Sequence, residues 1–133
     1  MESVERGSPR VSRDPLTGAI IGCAIEVHRT LGPGLLESTY EACLAHELRQ
    51  AGLAFETQVQ IPIVYKGEEF PCGFRADLIV EERLLVELKS VDRFLPIHDA
   101  QLLTYLKLRS LHVGLLINFN SQPLRNGIRR LAR

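Results

Sequence analysis

Residues 74–90 read FRADLIVEERLLVELKS and constrain the fold more than any other stretch. Two apolar runs flank the short polar break Glu81-Glu82-Arg83, which predicts adjacent strands over about 73–80 and 84–90. Three charges interrupt them: Asp77, Glu87 and Lys89. Strand alternation puts Phe74, Ala76, Leu78 and Val80 on one face, with Arg75, Asp77 and Ile79 on the other. On the second strand Leu85, Glu87 and Lys89 share a face. If the turn centres on Glu82, Asp77 lies opposite Glu87, with Cβ atoms about 4.5–5.5 Å apart. Two carboxylates at that spacing repel. A divalent cation between them removes the conflict, and hard oxygen ligands suit Mg²⁺ or Mn²⁺. The competing reading is a solvated sheet face carrying ordinary surface charges, against which a mid-strand Asp counts because that residue is depleted there.

The rest of the chain supplies helices to cover this sheet. A helix is predicted from Asp14-Pro15, with Ile20, Ala24, Val27 and Leu31 at helical spacing and LGPG (31–34) ending it. A second follows in LLESTYEACLAHELRQAG, with Leu36, Tyr40, Cys43, Leu44, Glu47 and Leu48 as its stripe and Gly52 as its cap. From residue 54 the period changes to two, and YKGEEF predicts a hairpin turn. A third helix is expected from Pro96 to Ser110, then a buried strand in HVGLLINFN. The tail QPLRNGIRRLAR reads as an edge strand or a short helix. The expected architecture is α/β, one domain over 14–133 with a mixed sheet of four to five strands flanked by helices. Residues 1–13 read as a flexible tail.

Composition excludes several classes. With 133 residues, 45% hydrophobic and 24% charged, the chain fits a globular protein with one core. The formal net charge of zero gives no global field for nucleic acid, although most of the positive charge is Arg, the better phosphate ligand. No secretory signal or membrane span is evident. Cys23, Cys43 and Cys72 lack zinc or disulfide spacing and read as reduced thiols of a cytoplasmic protein.

Asp77, then Glu87-Leu88-Lys89 on the next strand, resembles the core of the PD-(D/E)XK nuclease superfamily. Gly34-x-x-Glu37-x-x-Tyr40 is similar to the motif that names the GxxExxY proteins, a branch of that superfamily. HDAQLLTYL, with Gln101-x-x-x-Tyr105, and GLLINF resemble their later helix and strand, so the likeness runs from about residue 14 to 120. It implies a restriction-endonuclease-like core and a Mg²⁺- or Mn²⁺-dependent nuclease. Asp77, Glu87 and the Leu88 backbone carbonyl would hold the metal, and Glu37 would support it through water. Lys89 would orient the attacking water, and Gln101 and Tyr105 would complete the catalytic set in the manner of RecB-type nucleases. Ala76 stands where the superfamily name has Pro. Three scattered cysteines cannot carry an iron–sulfur cluster of the kind some relatives hold. Nucleic acid is the implied partner, DNA first, with a homodimer as one open assembly state. Other readings stay open at single residues. Glu37 also suits a helix N-terminus, Tyr40 the core, and His98 either the site or the surface. Arg75, Arg93 and Arg109 are candidate phosphate contacts. The alternative function is a non-catalytic binding or assembly module on the same fold.

Overall fold

The computed structural model describes the backbone of Ser3–Arg6 and the whole of residues 14–133. The elements are β1 (Ser3–Arg6), α1 (Pro15–Leu31), α2 (Glu37–Gln50), β2 (Phe55–Gln60), β3 (Ile63–Tyr65), β4 (Glu68–Phe70), β5 (Arg75–Val80), β6 (Leu84–Lys89), α3 (Pro96–Leu108), β7 (Val113–Asn118), a 3-10 turn at Leu124–Gly127, and β8 (Ile128–Ala132). Local chemistry explains the helix ends. The Asp14 carboxylate accepts from the Leu16 amide at 3.2 Å and the Thr17 hydroxyl at 2.8 Å, and Pro15 opens the first turn of α1. Gly32, at φ +72°, ends that helix and donates its amide to the His28 carbonyl.

One six-stranded sheet runs in the order β1-β8-β7-β6-β5-β2, and β3 and β4 form a separate hairpin. Among the described strands only the β6–β7 pair is parallel, and α3 is the crossover between them. Core side chains pack on both faces of this sheet. On one face Ile20, Ala24 and Val27 of α1 and Tyr40, Leu44 and Leu48 of α2 meet Leu78, Val86, Leu88 and Ile117. On the other, Leu102, Tyr105 and Leu106 of α3 meet Ala76, Ile79, Leu85 and Leu116. Burial from both sides explains why β6 is apolar almost throughout. It also makes the one carboxylate inside it, Glu87, costly.

Four expectations need correction. The tail expected over 1–13 is not wholly without structure, because Ser3–Arg6 pairs antiparallel with β8; residues 1–2 and 7–13 lie outside the described residues. The open edge of β8 carries unpaired backbone donors and acceptors that such a strand satisfies, and it raises the sheet from five strands to six. The tail QPLRNGIRRLAR is turn and strand in succession, and β8 lies inside the sheet rather than at its rim. Leu31 and Leu36, assigned to apolar stripes, are exposed where the chain leaves one helix and enters the next. Finally, regular alternation fails at Asp77. Ala76 packs with Ile79 on the α3 face, whereas Leu78 and Val80 face α1 and α2. The neighbouring strand is interrupted at the same level: β2 keeps one register with β5 on both sides of Gln58 but does not pair at it, and Gln58 stands at φ +51°. Left-handed backbone at a non-glycine residue is a local distortion of the strand.

Candidate active site

The hairpin has the register that a turn centred on Glu82 requires, with Leu78 opposite Val86, Ile79 opposite Leu85 and Val80 opposite Leu84. Beyond Leu78 the two acids replace the ladder. The Asp77 amide donates to Glu87 Oε1 at 2.8 Å, and the Leu88 amide donates to Asp77 Oδ2 at 2.8 Å. Each carboxylate thus caps the other strand's backbone. In a strand the N–H and C=O of one residue point to the same edge, so the Leu88 carbonyl also faces β5.

Around this pair the strands and helices bring further polar groups. Lys89 Nζ lies 4.0 Å from Glu87 Oε2, with both side chains largely buried. Gln58 Nε2 donates to Asp77 Oδ1 at 3.2 Å and to Glu41 Oε1 at 2.6 Å. Glu37 accepts from the Ser90 amide at 3.3 Å, one residue past Lys89. Tyr105 packs on the α3 face of the same strands. Gln101, one turn earlier, lines a groove with Tyr105. His98 folds back to accept from the Leu95 amide through Nδ1 at 3.0 Å, so it caps α3. Arg75, Arg93 and Arg109 are exposed.

The Gly34, Glu37 and Tyr40 spacing has a mechanical basis. The Tyr40 hydroxyl donates to the Gly32 carbonyl at 2.6 Å and accepts from the Leu35 amide at 3.1 Å, while its ring stacks on Phe119 at 4.3 Å. Gly34, at φ +94°, donates its amide to Asn120. The loop before α2 is thereby held in place, and with it the start of the helix that carries Glu37. Buried Asn118 fixes the segment after β6 through the Val91 amide and carbonyl. Sequence reasoning passed over Gln58, Glu41, Asn118 and Asn120. Glu41 had a signal, one turn after Glu37 on the same helix face; so did the two asparagines at the end of an apolar strand. Gln58 had none, since its placement depends on a backbone kink.

The electrostatics reflect two acids in a dry place. Burial, then the nearby Asp77 charge, push the Glu87 carboxyl up to about 8. Burial also raises Glu41, with Asp77 adding to the effect and the Gln58 hydrogen bond opposing it. The Tyr105 phenol is raised by burial and then by Glu87 and Asp77. Burial and the Lys89 charge lower His98. Among the described residues no three His, Cys, Asp or Glu side chains form a complete cation cage. The donors present still fit Mg²⁺ or Mn²⁺: hard oxygens, few in number, as suits a cation that keeps several waters.

A pH test follows. Glu87 holds its proton more tightly folded than unfolded, so this contribution is complete below the ordinary carboxylate range and is lost as pH rises through about 8. In EDTA the melting midpoint should fall by about 5–10 °C between pH 5 and pH 8.5. Glu87→Gln should flatten that slope, and an equal slope in both proteins would refute the assignment. Cation binding requires the ionised form, so the gain in midpoint with Mn²⁺ should grow over the same range.

A family model described as the PD-(D/E)XK nuclease superfamily matches residues 14–131. The chain belongs to the PD-(D/E)XK nuclease superfamily. No curated protein and no solved structure matches it. Membership agrees with the α/β core described above and makes nucleic acid the substrate class to consider first, with a divalent metal as the usual cofactor of such nucleases. Within this superfamily domain, α1 and α2 cover one face of the strands that carry the acids, and α3 covers the other. Among the described residues no helix is long and apolar enough to cross a membrane.

Proposed function

We propose that this chain is a metal-dependent nuclease of the GxxExxY branch, hydrolysing phosphodiester bonds at Asp77, Glu87 and Lys89. The observation that carries the reading is the reciprocal capping of Asp77 and Glu87 across adjacent strands, with Lys89 beside them. Asp77, Glu87 and the Leu88 carbonyl would hold the cation, and Glu37 would reach it through water. A cation held there would supply Lewis-acid chemistry, polarising the phosphate and making a water more acidic. Lys89 positions that water and stabilises charge developing on the phosphate. Tyr105 and Gln101 orient the substrate from α3. DNA is the first substrate to try, residues 14–133 act as one domain, and free Cys23, Cys43 and Cys72 suit a cytoplasmic protein. A second copy would add surface for specificity, so a homodimer is the assembly to test first. The neutral net charge favours a second reading, a non-catalytic assembly module on the same fold.

The deciding experiment incubates labelled single- and double-stranded DNA and RNA with the protein in Mg²⁺, Mn²⁺ or EDTA. Cleavage should require a metal and should fall about 10²-fold or more in Lys89→Ala. No cleavage with any metal, or full cleavage by Lys89→Ala, would leave the assembly module as the better reading.

A further inference from the structure

The groove beside the acid pair has a volume of about 230 Å³ and is lined by Ile63, Phe74, Ile97, Gln101, Thr104 and Tyr105. Among the described residues no charged side chain lines it. Phe74 and Tyr105 form an aromatic corner, with ring centroids 6.3 Å apart and planes at 56°. Phe74 is 42% exposed and Ile97 65%, so this apolar surface faces water. Tyr105 joins the groove to the strands that carry the acids, because it lies in the same core cluster as Ala76, the residue before Asp77, and as Ile79 and Leu85. The break in alternation at Asp77 leaves Ala76 on this face.

The chemistry of the groove narrows its occupant. Attraction to phosphates grows with the number of Lys and Arg brought to the backbone. No charged side chain lines this groove, so within it uncharged contacts would supply the affinity. Aromatic and apolar walls stack nucleobases of any sequence. One amide, Gln101, offers both donor and acceptor to a base edge. A base inside a duplex already has both faces stacked and its edge paired, so it cannot enter. We propose that the groove receives an unpaired nucleobase next to the scissile phosphate, which makes single-stranded or frayed nucleic acid the substrate of the site. This rests on the nuclease reading above.

The test uses the full chain carrying Asp77→Asn, so that binding is read without cutting. Fluorescence anisotropy compares a DNA strand, the RNA strand of the same sequence, each strand without bases, and the blunt duplex. The base-bearing DNA or RNA strand should bind at least about fivefold more tightly than its abasic counterpart and the duplex. Adding Phe74→Ala or Ile97→Glu should remove that margin; Ile97 is exposed enough that its replacement leaves the core intact. Equal affinity for base-bearing and abasic strands, preference for duplex, or no binding would overturn the proposal. So would a light-scattering mass of two chains that Ile97→Glu halves without altering strand preference, since the groove would then seat a second copy. Wild-type protein that cuts duplex and single strands alike in Mn²⁺ would keep the nuclease reading and lose the groove.

Discussion

Asp77→Asn should reduce metal-dependent cleavage by about 10³-fold and abolish the stabilisation by Mn²⁺, while the protein remains folded. The amide matches the carboxylate in shape, and its oxygen can still accept from the Leu88 amide that Oδ2 now binds at 2.8 Å. What disappears is one of the two negative charges set across the strands. A cation would then face one buried carboxylate that already holds its proton tightly, because burial raises Glu87 even before Asp77 contributes. Two measurements separate the causes. Cleavage of labelled strands reports the chemistry, and melting with and without millimolar Mn²⁺ reports the site. Retention of cleavage within tenfold would show that Asp77 is not a ligand. Loss of the fold in EDTA would show that its role is to close the ladder.

Tyr40→Ala should produce the largest loss of stability, about 3–5 kcal/mol by chemical denaturation. The side chain is fully buried, and its ring stacks on Phe119 while its hydroxyl bridges Gly32 and Leu35. Tyr40→Phe keeps the ring and isolates the hydroxyl. It should cost about 1–3 kcal/mol, because the Gly32 carbonyl and Leu35 amide lose their partner. If Glu37 supports the metal, this milder variant should also weaken Mn²⁺ binding by loosening the loop that precedes α2. A stability change below about 0.5 kcal/mol, the range of ordinary surface substitutions, would mean that Asn120 and Ser90 hold the loop without the Tyr40 hydroxyl.

The fold was legible where a segment obeyed one period. Asp14-Pro15, Gly52 and the change from helical to alternating spacing located the first helices and the strands that follow, and the polar break at residues 81–83 set the hairpin register. The site was legible only in outline, since placing Asp77 opposite Glu87 needed nothing beyond that register. Its finer form was hidden. Strict alternation cannot anticipate a ladder interrupted at Gln58 and Asp77, where Ala76 stays on the α3 face although Leu78 does not. Nor does a sequence show that Tyr40 works through a loop rather than a ligand. The strand at Ser3–Arg6 escaped notice because its partner, β8, is the only cause for it to be extended.

The kink at Gln58 has a bearing on self-association. In the sheet order, β2 stands at the rim opposite β1, and its sequence FETQVQ would otherwise make a straight and sticky border. Strands left open in this way recruit strands from other molecules, and a local break in the backbone run is one of the commonest defences. Gln58 provides that break at the same residue whose amide spans Asp77 and Glu41. Pairing of a second copy along this rim would have to accommodate that break, and straightening it would disturb the Gln58 bonds to Asp77 and Glu41.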